Sequence, residues 1–182
     1  MTQVISLKEG KANVLAKKAF RNWKSRFKEG FSPETCLAHI SLETLSFLAQ
    51  GKDKGTFYLY DLIMGLNHLG SGFEFNELSP NNKIRVIDQY LFLLDRIRYE
   101  GMKRLGWLTD YPGEEVPLME MITRFETLAP NLQAQIPMMN PGFSGSKSFF
   151  SVSTYEKEGV VRKLIPRLLE ELKKFTKGLG KK

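Results

Sequence analysis

The 182-residue chain contains one cysteine, Cys36, and two histidines, His39 and His68. A lone thiol forms no internal disulfide and builds no cysteine cage for a metal. It suits a reducing cytosol, where Cys36 is expected to serve as a small buried apolar residue. No run of 18 apolar residues occurs, so no segment is expected to span a bilayer as a helix. The most apolar window, 57–69, is interrupted by Asp61, Asn67 and His68 and reads as a core helix. Met1 to Lys8 carries neither the apolar run nor the cleavage pattern of a leader, and the expected location is cytoplasmic. Strand patterning is scarce as well. Only 149–153 alternates enough to be extended.

What is present is ordinary for a globular chain: 42% hydrophobic, 26% charged and 12% aromatic residues, the last excluding disorder for the bulk of the sequence. One domain is expected over 1–182, with 1–10 and 178–182 as frayed tails. Apolar residues recur mostly at helical spacing. Leu15, Ala19, Trp23 and Phe27 predict a first helix over 11–28, stopped by Gly30. Ser32-Pro33 reads as the cap and first residue of a second helix bearing Leu37, Leu45 and Leu48. Gly51 to Gly55 is a short turn into a third helix, about 56–69.

Ser79-Pro80 then opens the clearest helix, about 80–105, with a stripe of Ile84, Ile87, Leu91, Leu94 and Leu105. A helix over about 117–129 follows, with a further turn from Pro130. Residues 137–152 have no periodicity and are expected to form a long irregular loop. Ser153-Thr-Tyr-Glu156 is a capping box. It introduces a last helix with the seam Val161, Leu164, Ile165, Leu168, Leu172, Phe175 and Leu179, kinked at Pro166. The expected class is all-α: a bundle of five to seven helices around the segment 80–105.

Catalytic signatures fail on inspection. The segment 142–148 ends in Lys147-Ser148, but a phosphate loop requires glycine where Ser146 and Pro141 stand. A nucleophile elbow at Ser144 lacks its last glycine. His39, Glu43, Asp61 and His68 would lie at neighbouring levels of an antiparallel helix pair and include acceptable zinc or iron ligands. Their helical wheels, however, point them away from the apolar stripes. These four are weak metal candidates only, and no cofactor is expected.

Charge is the more informative feature. The net charge is +7, and residues 1–30 carry eight Lys and Arg against two Glu, a local excess of six. Lys17, Lys18, Arg21, Lys24, Arg26 and Lys28 surround Trp23, a composition suited to an anionic partner. A second basic cluster, Lys173 to Lys182, ends the chain. Three readings remain open, with the balance against an enzyme. The first is a helical interaction module that binds a protein partner or a second copy of itself. The second is a nucleic-acid-binding module using the basic first helix. The third is a binder of small apolar ligands, or an enzyme of unrecognised class, with Met138, Met139, Phe143, Phe149 and Phe150 lining a site between the 137–152 loop and the bundle.

Overall fold

The computed structural model describes residues 7–176. In chain order its elements are α1 (Leu7–Ala19), α2 (Arg21–Phe27), α3 (Leu42–Ala49), α4 (Asp53–Leu66), α5 (Pro80–Arg104), β1 (Leu108–Asp110), α6 (Leu118–Thr123), α7 (Phe125–Gln133), β2 (Met138–Met139), α8 (Ser146–Ser151), α9 (Thr154–Lys163) and α10 (Ile165–Lys173), with 3₁₀ turns at Leu37–His39 and Gly72–Glu77. The fold is all-α, with ten α-helices among the described residues and a two-stranded β-ribbon. Three expected helices are each broken in two, at Phe20, Arg124 and Leu164. Joining those pairs reduces the ten to seven, the upper bound of the expected range.

α5 is the central element and packs against α3, α4, α10 and β1. Ser79 caps it by accepting from the Asn82 amide, and Pro80 opens it, because a proline lacks the N–H that the first turn leaves unbonded. Gly101 brings α10 close, since a Cβ there would meet Leu172 Cδ1 at 3.2 Å. Val161, Leu168 and Leu172 of the terminal seam are fully buried, while Phe175 is exposed. Leu179 and the expected tail 178–182 lie outside the described residues, as do residues 1–6. Residues 7–10, expected to fray, are the first turn of α1.

The central helix corrects the expected stripe. Ile84, Ile87 and Leu91 are exposed, while Gln89, Arg96 and Glu100 are buried. Gln89 and Glu100 are enclosed with hydrogen-bond partners, and Arg96 is partnered through one of its nitrogens while its buried Nε has no hydrogen-bond partner. Gln89 accepts from Asn67 Nδ2 and donates to the Ile122 carbonyl. Arg96 donates to the Pro112 carbonyl and lies 4.9 Å from the centroid of Phe92. Glu100 accepts from Arg104 Nε and the Tyr111 hydroxyl at 2.7 and 2.8 Å. Burial and the adjacent Glu100 push the Tyr111 phenol well above its ordinary pKa.

Other boundaries also move. The first helix ends at Phe27, and Lys28, not Gly30, takes the left-handed cap at φ 60°. Ser32-Pro33 starts no helix. Ser32 N instead donates to Thr35 Oγ1, and the Thr35 carbonyl accepts from Leu118 N, tying this segment to α6 as an irregular strap. Ser41 is the working cap, with its hydroxyl accepting from Thr44 N. Glu29 reinforces it by accepting from Ser41 N, Ser41 Oγ and Thr44 Oγ1. Burial alone would raise the Glu29 pKa, but these hydrogen bonds outweigh it and hold the carboxyl below its ordinary value. Cys36 is half-buried, with its thiol directed at the Glu115 carbonyl. The third helix starts at Asp53 rather than Thr56 and ends at Leu66. Pro130 falls inside α7 instead of opening a new turn.

The stretch 137–152 is largely ordered secondary structure. Met138–Met139 pairs antiparallel with Leu108–Asp110, and Ser146–Ser151 is a helix, which overturns both the long loop and the extended 149–153. Asn140 secures the ribbon by donating from its backbone to the Trp107 carbonyl and from its side chain to the Gly106 carbonyl. The capping box at Ser153 and Glu156 is present, and the kink before Pro166 falls at Leu164.

Candidate functional site

Aromatic side chains seat α1 and α2 and thereby expose their cations. Phe20, Trp23 and Phe27 turn inward, where Trp23 packs edge-on against Phe20, Phe27 and Phe31. Its indole N–H donates to the Tyr58 carbonyl of α4 at 2.7 Å. Trp23 is fully enclosed and therefore belongs to the core rather than to a partner surface. Lys17, Lys18, Arg21, Lys24 and Lys28 remain exposed on the opposite side. Arg26 is half-buried, its guanidinium 5.2 Å from the Phe47 ring centroid.

Three clefts run beside these helices and share lining residues. The first, about 800 Å³, is bordered by Leu7, Gly10, Lys11, Val14, Leu15, Lys18 and His68. The second, about 290 Å³, shares Lys18 and His68 with it and adds Arg21, Asn22 and Asp61. The third, about 380 Å³, shares Asn22 with the second and adds Ser25, Arg26, Lys28, Phe57, Tyr58 and Phe73. Together they form one groove. Lys11, Lys18, Arg21, Arg26 and Lys28 line it, whereas Lys17 and Lys24 stand outside these clefts.

The carboxylate among the lining side chains is Asp61, and it is already occupied. It is buried, with one oxygen accepting from Asn22 Nδ2 at 2.7 Å and the other from Gly72 N at 2.9 Å. Its charge is thus committed to holding α2 and the 72–77 turn against α4. An anion entering the groove meets cations on its walls and one internally bonded acid at its floor.

Of the four metal candidates, Asp61 and His68 line the second cleft, and His39 and Glu43 are not among its lining residues. His39 sits exposed in the 37–39 turn, its Nδ1 accepting from Cys36 N, and Glu43 lies in the first turn of α3. His68 is exposed, in a left-handed conformation at φ 58°. Among the described residues no group of three His, Cys, Asp or Glu side chains is placed to hold a metal ion.

The apolar group near the ribbon divides. Met139, Phe143 and Phe149 are buried, while Met138 and Phe150 are about half exposed. Phe143 stacks on Trp107 at 5.1 Å, and the Arg167 guanidinium lies over both rings.

Several groove residues, Lys11, Asn22, Phe57 and Phe73 among them, carried no functional signal in the sequence. Lys11 was one lysine among many. Asn22, Phe57 and Phe73 come together because Asp61 and the Trp23–Tyr58 bond draw α2, and Asp61 the 72–77 turn, to α4. Another cleft, about 530 Å³, lies between α5 and α7 beside exposed Leu91, with Asp88, Asp95 and Glu126 among its lining residues. Compared with known protein families, curated proteins and solved structures, the chain matches none.

Proposed function

We propose that this protein is a non-enzymatic binding module that receives an anionic chain along α1 and α2. The observation that carries the reading is the shared lining of the three clefts: five cations along one path, with the one acid at that path satisfied inside the protein. Binding of a polyanion releases its counterions, so the logarithm of the binding constant should fall linearly with the logarithm of salt, with a slope of roughly 0.7–0.9 per neutralised phosphate for nucleic acid. The single thiol is compatible with a cytoplasmic setting, which forms part of the proposal.

Heparin supplies the first test. The protein should be retained at low salt and elute as salt rises. The double variant Lys18→Glu/Arg21→Glu should elute earlier while keeping the same thermal midpoint. No retention of the unaltered protein at low salt would end the reading.

A second reading, association of two copies through α5, is favoured by the exposure of Ile84, Ile87 and Leu91 at helical spacing. It also matches the expectation of a self-associating interaction module. Light scattering across a range of concentrations tests it, and a monomer at every concentration removes it.

A further inference from the structure

The third cleft has a chemical character that the rest of the groove lacks. Phe73 is 81% exposed, and its ring centroid lies 4.7 Å from that of Phe57. A single exposed ring is commonplace. Here, though, the ring is held on a pinned turn. Ser71 N donates to Glu74 Oε2 at 2.6 Å, and Gly72 N donates to Asp61 Oδ1. Gly72 itself is pressed onto α4: a Cβ there would meet the Phe57 ring at 3.0 Å and the Asp61 backbone nitrogen at 3.2 Å. Phe75, two residues on, does turn inward and stacks on Tyr60. The turn therefore packs one phenylalanine, half-buried, against the core and presents the other to solvent.

Arg26 and Lys28 line the same cleft, together with the side chains of Asn22 and Ser25, and no carboxylate lines it. We propose that the Phe57–Phe73 cleft is a base-stacking site for single-stranded nucleic acid, with Arg26 and Lys28 taking the adjoining phosphates. This rests on the anionic-groove reading and deepens it. An acidic peptide would use the cations but has no need of an exposed ring, whereas every nucleobase offers a π-face to one. Duplex bases are stacked on each other and unavailable. The cleft volume of about 380 Å³ falls within the roughly 300–1,000 Å³ of sites that enclose small ligands. A ring carried on a backbone ordered before binding loses less freedom when a base arrives, which favours affinity.

The experiment compares probes and variants by fluorescence anisotropy at one low salt concentration. The probes are labelled single-stranded DNA and RNA of equal length, the matching duplex, and polyglutamate, with heparin retention run alongside. Phe73→Ala should weaken single-strand binding by about 5-fold to about 150-fold, the range for loss of one base–aromatic stack, and leave heparin retention unchanged. Phe73→Trp should restore single-strand affinity. The ratio of DNA to RNA affinity identifies which strand is preferred. Heparin retention with single strand bound no more tightly than duplex, and indifferent to Phe73→Ala, overturns the stacking site but leaves the groove standing. Tight polyglutamate binding with no single-strand binding does the same and identifies the occupant as acidic protein. Absence of binding to every probe overturns both readings.

Discussion

α2 and α5 make opposite use of the same amphipathic code. In α2 the aromatic residues Trp23 and Phe27 face inward, Arg21 and Lys24 face solvent, and Arg26 lies half-buried against Phe47. In α5 three branched aliphatics, Ile84, Ile87 and Leu91, face solvent while Gln89, Arg96 and Glu100 are enclosed. The difference lies in the neighbours. α2 is a surface element with one broad support, so its apolar side has one place to go. The middle and end of α5 are covered by α3, α4, β1 and α10, and a polar group among such neighbours is stable when its hydrogen bonds are made. Gln89 and Glu100 make theirs to Asn67 at the end of α4, to α6, and to Tyr111 and Arg104. Hydropathy alone decides the buried face where one side is covered, and partner geometry decides it where most sides are.

The largest effect should come from the side where hydropathy decides. Trp23→Ala removes an enclosed indole and its bond to Tyr58, and should cost about 3–5 kcal/mol by urea denaturation, as large-to-small core changes do. A loss under about 1 kcal/mol would mean that α1 and α2 contribute little to the folding unit. Glu100→Ala is the matching test in α5. It leaves the Tyr111 hydroxyl and part of Arg104 without their acceptor in an enclosed site, at a cost of about 3 kcal/mol. If Glu100→Ala were neutral, the burial of charge in α5 would not depend on pairing, and the contrast with α2 would lose its explanation.

How far the sequence could be read follows the same division. Local signals were legible: the Ser79-Pro80 start, the Ser153/Glu156 box, the apolar spacing of the first helix, and the all-α class. Each depends on residues within two turns of one another. Features set by distant residues were not. Ser41 caps α3 in place of Ser32 because Glu29 and Thr44 gather at its hydroxyl and Leu118 holds Thr35 in the strap. The ordered stretch 137–152 depends on β1, which precedes it by some thirty residues. The groove was legible as charge along 11–28 but not as a shape, because its second wall comes from His68, Phe57 and Phe73, which α4 brings to α1 and α2.

A pH titration gives the next, smaller effect on the α5 side. Burial raises the Tyr99 phenol from about 10 to about 12, with Asp95 adding to the shift, and Tyr111 is raised further in the same direction. The folded protein holds these protons more tightly than the unfolded chain. The stability they contribute is therefore complete below pH 10 and is lost as pH rises from about 10 through 12. Urea midpoints at pH 9 and pH 11 should show the decline, and Tyr99→Phe should lessen it. Glu29 runs the other way: its lowered pKa contributes stability that disappears as pH falls below the ordinary carboxylate range.

The smallest expected effect falls on the exposed aliphatics of α5, and it sharpens the comparison most. Ile87→Ser/Leu91→Asn changes groups that are 38% and 53% exposed in the isolated chain. Each substitution on such a surface should move stability by no more than about 0.5 kcal/mol. That outcome leaves α5 as a helix whose outer stripe has no covering in the folded chain. A loss several times larger, appearing only at high protein concentration, would mean that a second copy covers the stripe, since linked association stabilises in proportion to the logarithm of partner concentration. In that case hydropathy would govern both faces of α5 after all, the inner polar face through its bonded partners and the outer aliphatic face through the dimer. The contrast with α2 would then be one between a monomer surface and an interface.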